Sequence, residues 1–315
     1  MTIKFVKNGT KLVITGQTET GQTSIDIYSI SPEGVYERIH NYIVPERITC
    51  FDIKHNGSVL ATGFESGKVQ IWNISFDETE IHLADTRNDH TMGVNCIKIH
   101  PTKPLFLTGS KDGTMRLYQL CEKNLATCFR IIRPHHKTIP EITSLGFSDD
   151  GSMIIVGDSK NTVSFQEIEN SGRHYTSSFP QHSSCITRVR VCHNGYLAVA
   201  SGSYLTIWEK NTVGFGRESQ KIRGMHYVNA FDCHNFLPII CASDSVGGRV
   251  NIYVCSPSSS YYDLKMFFDN CYAEDVLFHP TEPILGIYMK SLKKIHFYRI
   301  SDDYATTAHI FTITL

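Results

Sequence analysis

The feature that most constrains this chain is a short pattern that returns about every 45 residues: an apolar residue, a variable one, a second apolar one and then an aromatic. It reads Ile25-Asp26-Ile27-Tyr28, Val69-Gln70-Ile71-Trp72, Met115-Arg116-Leu117-Tyr118, Leu205-Thr206-Ile207-Trp208, Val250-Asn251-Ile252-Tyr253 and Ile295-His296-Phe297-Tyr298. The wide gap between Tyr118 and Trp208 holds Val163-Ser164-Phe165-Gln166, with Gln at the aromatic position. Steps between the fourth positions are then 44, 46, 48, 42, 45 and 45, so seven units of about 45 account for all 315 residues.

Each unit can be walked backwards. A second apolar run closing on a small residue precedes the pattern, as in Ser58–Gly63 and Pro104–Gly109. Before that run stands a turn pair such as Asn56-Gly57 or Asp150-Gly151, residue types that supply the positive φ of tight hairpins. Before the turn comes an alternating strand, for example Ile48–Ile53 or Val94–Ile99. A looser fourth run, such as Ala126–Ile131, usually follows the aromatic, and no window shows sustained helical periodicity. Each unit is therefore an antiparallel meander. A tandem of such meanders covers both faces of its sheets by radial packing, which leaves only short, protected edges. The expected fold is all-β, a seven-bladed β-propeller of four-stranded antiparallel blades. It is expected to be one domain over residues 1–315, with blades near 1–44, 45–90, 91–137, 138–182, 183–224, 225–268 and 269–315. The final run His309–Leu315 should form the outer strand of the seventh blade, beside Lys294–Ile300.

Composition narrows the function. Hydrophobic residues make up 41% and charged ones 19%, a globular balance. Lys plus Arg number 30 and Asp plus Glu 31, a formal charge of −1 with no field to hold a polyanion, which disfavours nucleic acid as the main partner. The N-terminal run alternates polar and apolar residues unlike a secretion signal, and nothing approaches the roughly 20 apolar residues that span a bilayer. An intracellular protein, cytoplasmic or nuclear and without membrane insertion, is expected. The ten Cys are dispersed without a CxxC and read as small buried hydrophobes.

The search for chemistry returns little. There is no phosphate loop, nucleophile elbow or HExxH motif. Histidines end several first strands, at His55, His100, His193, His234 and His279, with Cys192 and Cys233 beside two of them. Equivalent positions on successive blades diverge from an axis, whereas zinc needs ligand atoms roughly 2.0–2.3 Å from one point. No metal, cofactor or catalytic residue is assigned. The inner-strand positions Thr49, Asn95, Thr143, Thr187, Asn229 and Glu274 form a nearly neutral ring, which suits recognition better than acid–base chemistry. An enzyme using a central channel is the less favoured alternative.

The segments Leu60–Ile74 and Phe106–Leu120 resemble the two central strands and the turn of the WD-repeat family, and the resemblance extends over all seven units. The signature Trp-Asp pair is absent: Asn73 follows Trp72 and Glu209 follows Trp208. The resemblance implies a structural hydrogen-bond relay of a His, a turn Asp and the aromatic, present in the third unit as His90, Asp112 and Tyr118. It also implies partner binding through the loops that enter each first strand. Those positions are Arg47 and Thr49, Gly93 and Asn95, Glu141 and Thr143, Cys185 and Thr187, Tyr227 and Asn229, Tyr272 and Glu274. The expected function is a non-catalytic scaffold or adaptor for peptides or subunits of a larger intracellular assembly, itself a monomeric propeller within it. A weaker candidate is the basic connector with Arg130, Arg133, His135, His136 and Lys137, which could take an acidic or phosphorylated segment. The polar stretch Ser256–Tyr262 is a third.

Overall fold

The computed structural model describes residues 2–18, 22–31, 35–75, 80–133, 139–168, 182, 184–192, 195–211, 214–256 and 261–315. These residues form seven antiparallel sheets in which strands follow one another in chain order, the arrangement of a seven-bladed β-propeller. Six sheets have four strands, and the fourth has three among the described residues, since 169–181 lie outside them. Helix among the described residues is confined to short 3-10 turns, such as Lys7–Gly9, Glu122–Asn124 and Lys290–Leu292. No described helix is long and apolar enough to cross a membrane.

The chain divides into two compact units, Met1–Ile30 with Glu37–Gln181 and Ser31–Tyr36 with His182–Leu315. In the first, blade two is built from Ile48–Ile53, Val59–Phe64, Val69–Ser75 and Glu80–Arg87, and blade three from Val94–Ile99, Leu105–Ser110, Met115–Leu120 and Ala126–Ile132. Blade four carries Ile142–Phe147, Met153–Asp158 and Val163–Glu167. In the second unit, blade five comprises Ile186–Val191, Leu197–Ser201, Tyr204–Asn211 and Gly214–Ile222. Blade six comprises Val228–Cys233, Ile239–Asp244, Arg249–Cys255 and Tyr262–Phe268, and blade seven Asp275–Phe278, Ile284–Met289, Lys294–Ile300 and Thr307–Thr314.

Second strands such as Val59–Phe64, Leu105–Ser110 and Ile239–Asp244 are buried at every position. A strand covered on both faces has no reason to alternate, which is why these segments read as continuous apolar runs. Their small residues have a packing cause. A Cβ on Gly63 would lie 2.7 Å from Val94, and one on Gly109 would run into Ile142, each on the first strand of the following sheet. The repeated aromatics fall in one register, with Leu60 opposite Trp72, Phe106 opposite Tyr118, Leu197 opposite Trp208, Ile240 opposite Tyr253 and Leu285 opposite Tyr298. Gln166 takes the same place opposite Ile154. The core lies between successive sheets: Val13, Ile25 and Ile27 meet Phe51, Leu60 and Trp72 in the first unit, and Ile207 meets Phe231 and Ile240 in the second. Each such side chain contributes roughly 1.5–3 kcal/mol on burial.

Two kinds of β-bulge recur. Fourth strands shift register opposite the aromatic in five blades, at Ile71/Trp72, Leu117/Tyr118, Ile207/Trp208, Ile252/Tyr253 and Phe297/Tyr298. The extra residue bends and twists an exposed edge, which discourages pairing with another chain. First strands carry a second bulge, whose unpaired residue is Thr49, Asn95, Thr143, Thr187 or Asn229. The last strand, Thr307–Thr314, pairs antiparallel with Lys294–Ile300.

Candidate functional site

The bulges decide what the inner-strand polar residues do. The Thr49 hydroxyl lies 3.0 Å from the Gly63 carbonyl and also reaches that of Val94. Thr143 donates to Gly157 (3.0 Å) and Thr187 to Ala200 (3.3 Å). The two asparagines reach the following sheet, Asn95 to the Ile142 carbonyl (3.0 Å) and Asn229 to that of Glu274 (2.9 Å). All five are half-buried, and their donors are committed inside the molecule. The exposed groups stand two positions earlier, at Arg47, Glu141, Tyr227 and Tyr272, together with Glu274, while Gly93 is buried and Cys185 half-buried.

In the first unit Lys111 Nζ sits 2.6 Å from Glu65 Oε1, joining the turns of blades three and two. The hydrogen bond from Lys111 and its charge, with Arg47 adding to them, hold the Glu65 carboxyl below its ordinary range. The Glu141 backbone is fixed by exchange with Ser159, its N–H donating to Ser159 Oγ and its carbonyl accepting the Ser159 N–H, both at 3.0 Å. Two exposed apolar side chains on these loops, Met92 and Ile139, escaped the sequence reading; their one signal is that they directly precede Gly93 and Pro140.

In the second unit one carboxylate organises two loops. Asp244, at the end of a second strand, accepts the N–H groups of His226 (2.7 Å), Gly247 (2.9 Å), Val246 (3.2 Å) and Tyr227 (3.3 Å), and its Oδ2 lies 3.0 Å from His226 Nδ1. Burial alone would raise this carboxyl, but the bonds from Gly247, His226 and Tyr227 outweigh it and hold it below the ordinary value. Gly248 has φ +63°, and a Cβ there would lie 2.8 Å from the Tyr272 ring, so the ring rests on bare backbone. Tyr272 is nevertheless 56% exposed and Tyr227 38%. Beside them lies a depression of about 440 Å³ lined by Gly224, His226, Asp244, Gly247, Arg249, Asp269 and Asn270. Arg249 pairs with Asp269 at 2.7 Å and covers the Phe267 ring at 4.8 Å.

The strand-end histidines are ties. His100 Nδ1 accepts the N–H groups of Thr102 and Lys103 while Nε2 donates to the Gly151 carbonyl at 2.9 Å. His234 does the same with Phe236, Leu237 and the Glu282 carbonyl. Both nitrogens of each ring are thus used, and burial pushes His100 below its ordinary pKa. His193 lies outside the described residues. No group of three metal-ligating side chains occurs among the described residues.

The relay departs from expectation. His90 bonds Asp112 (2.9 Å) and Thr108 (2.7 Å), but Tyr118 is not part of it and donates instead to Asp89 at 3.1 Å. In blade two only the other half survives, Trp72 Nε1 donating to Thr62 at 2.9 Å. Of the basic connector, Arg130 donates to the Ile168 carbonyl (3.0 Å) and Arg133 is exposed, while His135, His136 and Lys137 lie outside the described residues. Residues 257–260 of the polar stretch Ser256–Tyr262 lie outside them too.

Sequence reading also missed two buried acids on first strands, each after a Phe. Asp52 takes Lys4 at 3.4 Å from the preceding sheet and the Ile99 N–H at 2.9 Å from the following one. Asp232 takes Arg190 at 2.6 Å and the Phe278 N–H at 2.8 Å in the same way. Arg188 extends the lacing, donating to the Phe231 carbonyl (2.9 Å) and to Asp275 (3.0 Å).

Comparison with known proteins agrees with this geometry. The pattern of the WD domain, G-beta repeat, matches residues 37–73, 83–119 and 126–165. Pre-mRNA-processing factor 19 homolog 2 of Arabidopsis thaliana is 24% identical over 165 residues, 52% of this chain and 30% of that protein. Target of rapamycin complex subunit wat1 of Schizosaccharomyces pombe is 27% identical over 178 residues, 53% of this chain and 52% of that one. The matches thus span about a third to a half of these relatives. Sqt1 of Chaetomium thermophilum, solved bound to the N-terminus of ribosomal protein L10, superposes with a TM-score of 0.74 at 12% identity, over 99% of this chain and 86% of Sqt1. Such low identity speaks for the fold alone. Sheets, register, surviving relay halves and matched segments together show WD repeats set within a seven-bladed propeller.

Proposed function

We propose that the protein is a non-catalytic scaffold, a single propeller over residues 1–315 that holds a peptide or subunit of a larger cytoplasmic or nuclear assembly. The observation that carries this reading is the pair of exposed rings, Tyr227 and Tyr272, mounted on loops that Asp244 and Gly248 hold in place. Aromatic groups already fixed before binding bury area at little entropic cost and are enriched among residues that dominate interfaces. The bound ribosomal-protein N-terminus in Sqt1 and the complex named for wat1 are consistent with such a role. In the second unit Glu274 supplies a polar rim group and Asn229 holds the strand mouth beneath; in the first unit Arg47 and Glu141 stand at the equivalent loop positions, with Thr49, Asn95 and Thr143 holding the strand mouths. The connector reading is weaker, because Arg130 is already bonded to the Ile168 carbonyl.

The test is affinity capture of the tagged chain with quantitative mass spectrometry, followed by titration of one captured protein. Replacing Tyr227 and Tyr272 together with Ala should weaken binding by about 2 kcal/mol or more without changing the melting temperature much. His55→Ala, at the far end of a first strand, should leave binding intact. Loss of the partner in the His55 variant with retention in the tyrosine variant reverses the assignment of the face.

A further inference from the structure

Blade seven carries a cluster that the scaffold reading does not use. His296 on the third strand faces Thr312 on the fourth, and His309 lies diagonally across from His296, opposite Tyr298. His296 Nδ1 is 2.8 Å from Thr312 Oγ1, and His309 Nε2 is 2.9 Å from the same oxygen. The two imidazole centroids are 5.8 Å apart, and Tyr298 closes the third side, 5.4 Å from His309 and 6.4 Å from His296.

A hydroxyl has one proton, so it donates to one of these nitrogens and accepts from the other. Two ring nitrogens on neighbouring strands therefore converge on one point, now held by an oxygen that a single χ1 rotation can remove. His296 is half-buried and fixed, while His309 is exposed and free to move inward. With His296 held in place, a nitrogen–metal bond of roughly 2.0–2.1 Å puts the ion about 0.8 Å to the His296 side of the oxygen position, and a rotamer adjustment of His309 closes the remaining gap.

We propose that His296 and His309 form a two-imidazole site for a borderline divalent transition metal such as Zn²⁺, at the position of the Thr312 hydroxyl. The set contains no carboxylate, so it selects Cu²⁺, Ni²⁺ and Zn²⁺ over Mg²⁺ or Ca²⁺. Solvent reaches the His309 side and fills the remaining coordination positions. Lys294, two residues before His296 on the same strand face, opposes the bound charge and limits affinity. The metal would join the last strand of the chain to its neighbour.

The experiment uses the full chain in chelator-free buffer with ZnCl₂ alone, and MgCl₂ as control. Zinc at about ten times its dissociation constant should raise the melting temperature by about 2 °C, and magnesium should not. His309→Ala, at an exposed position, should abolish the rise while leaving the metal-free melting temperature within about 1 °C. Thr312→Ala, which frees both nitrogens and vacates the oxygen position, and Lys294→Gln should each strengthen the zinc response. With Cu²⁺ as probe, the paramagnetic resonance spectrum should show coupling to two imidazole nitrogens, falling to one in His309→Ala. A zinc response equal in wild type and His309→Ala, or no response in either, overturns the assignment; because neither readout involves the tyrosine-bearing loops, its failure leaves the scaffold reading standing.

Discussion

Tyr118 and Trp72 occupy the same register position yet bond different partners. An indole carries its N–H on the flank of the ring, close enough for Trp72 to reach Thr62 on the neighbouring strand. A phenol carries its hydroxyl at the tip, so Tyr118 passes Thr108 and reaches Asp89, leaving Thr108 to His90. Blade five shows the converse loss. His182 stands four residues before Ile186 as His90 does before Val94, with Trp208 edge-on at 6.1 Å, but Val199 and Gly202 replace the Thr and Asp of the relay. Without these acceptors burial pushes His182 down to about 4, with Lys221 adding to it. Its folded pKa lies below the unfolded value of about 6.5, so the unfolded chain binds the extra proton between these limits. The stabilisation is complete above pH 6.5 and is lost as pH falls towards 4. His182→Phe should flatten that slope, removing on the order of 2 kcal/mol of the difference in stability between pH 7 and pH 4 seen in urea titrations of the wild type. The aromatic positions were legible in the sequence. Their partners were not, because reach depends on which atom of the ring is polar.

At the scale of strands, the period-two pattern found each element but not its bulges. One extra residue in a six-residue strand leaves the alternation almost unchanged, yet it turns Thr49, Asn95, Thr143, Thr187 and Asn229 out of the ladder and towards backbone carbonyls. That is why the ring of polar positions could be located from the sequence while its hydrogen bonds could not. Arg47 and Tyr227 could be located for a simpler reason, since each directly precedes a strand whose first residue is apolar and buried, while Tyr272 precedes the buried Ala273, ahead of a strand that begins at Asp275. The C-terminal strand was equally plain, a polar–apolar alternation that follows the seventh aromatic pattern. Removing residues 307–315 should strip the edge from Lys294–Ile300, which carries no outer bulge of its own. The truncated chain is expected to aggregate at concentrations where the intact one stays monodisperse by light scattering. A monodisperse truncation with an unchanged melting temperature would show that this strand contributes nothing.

At the scale of the whole chain, the seven units could be counted from spacing alone, but the ties between sheets could not. A tie such as Asp232 to Phe278 spans 46 residues, and only one of its two ends is a particular side chain. Asp232→Ala removes the carboxylate that pairs with Arg190 and accepts the Phe278 N–H, and should cost about 2–4 kcal/mol, less than a fully buried pair because Arg190 is 30% exposed. Urea denaturation of this variant against Asp263→Ala, an exposed position in the same blade, isolates the effect.

The backbone end of these ties has a further consequence. His100, His234, Asn95, Asn229, Asp52 and Asp232 each reach the next sheet through a peptide N–H or carbonyl. A peptide group survives almost any substitution, so a receiving sheet can change its side chains without compensating change in the sheet that grips it. Neighbouring repeats are then free to drift separately, and pairwise covariation across these contacts should be faint. Loss of the Trp-Asp pair from every repeat while the strand register persists is the outcome such one-sided coupling permits.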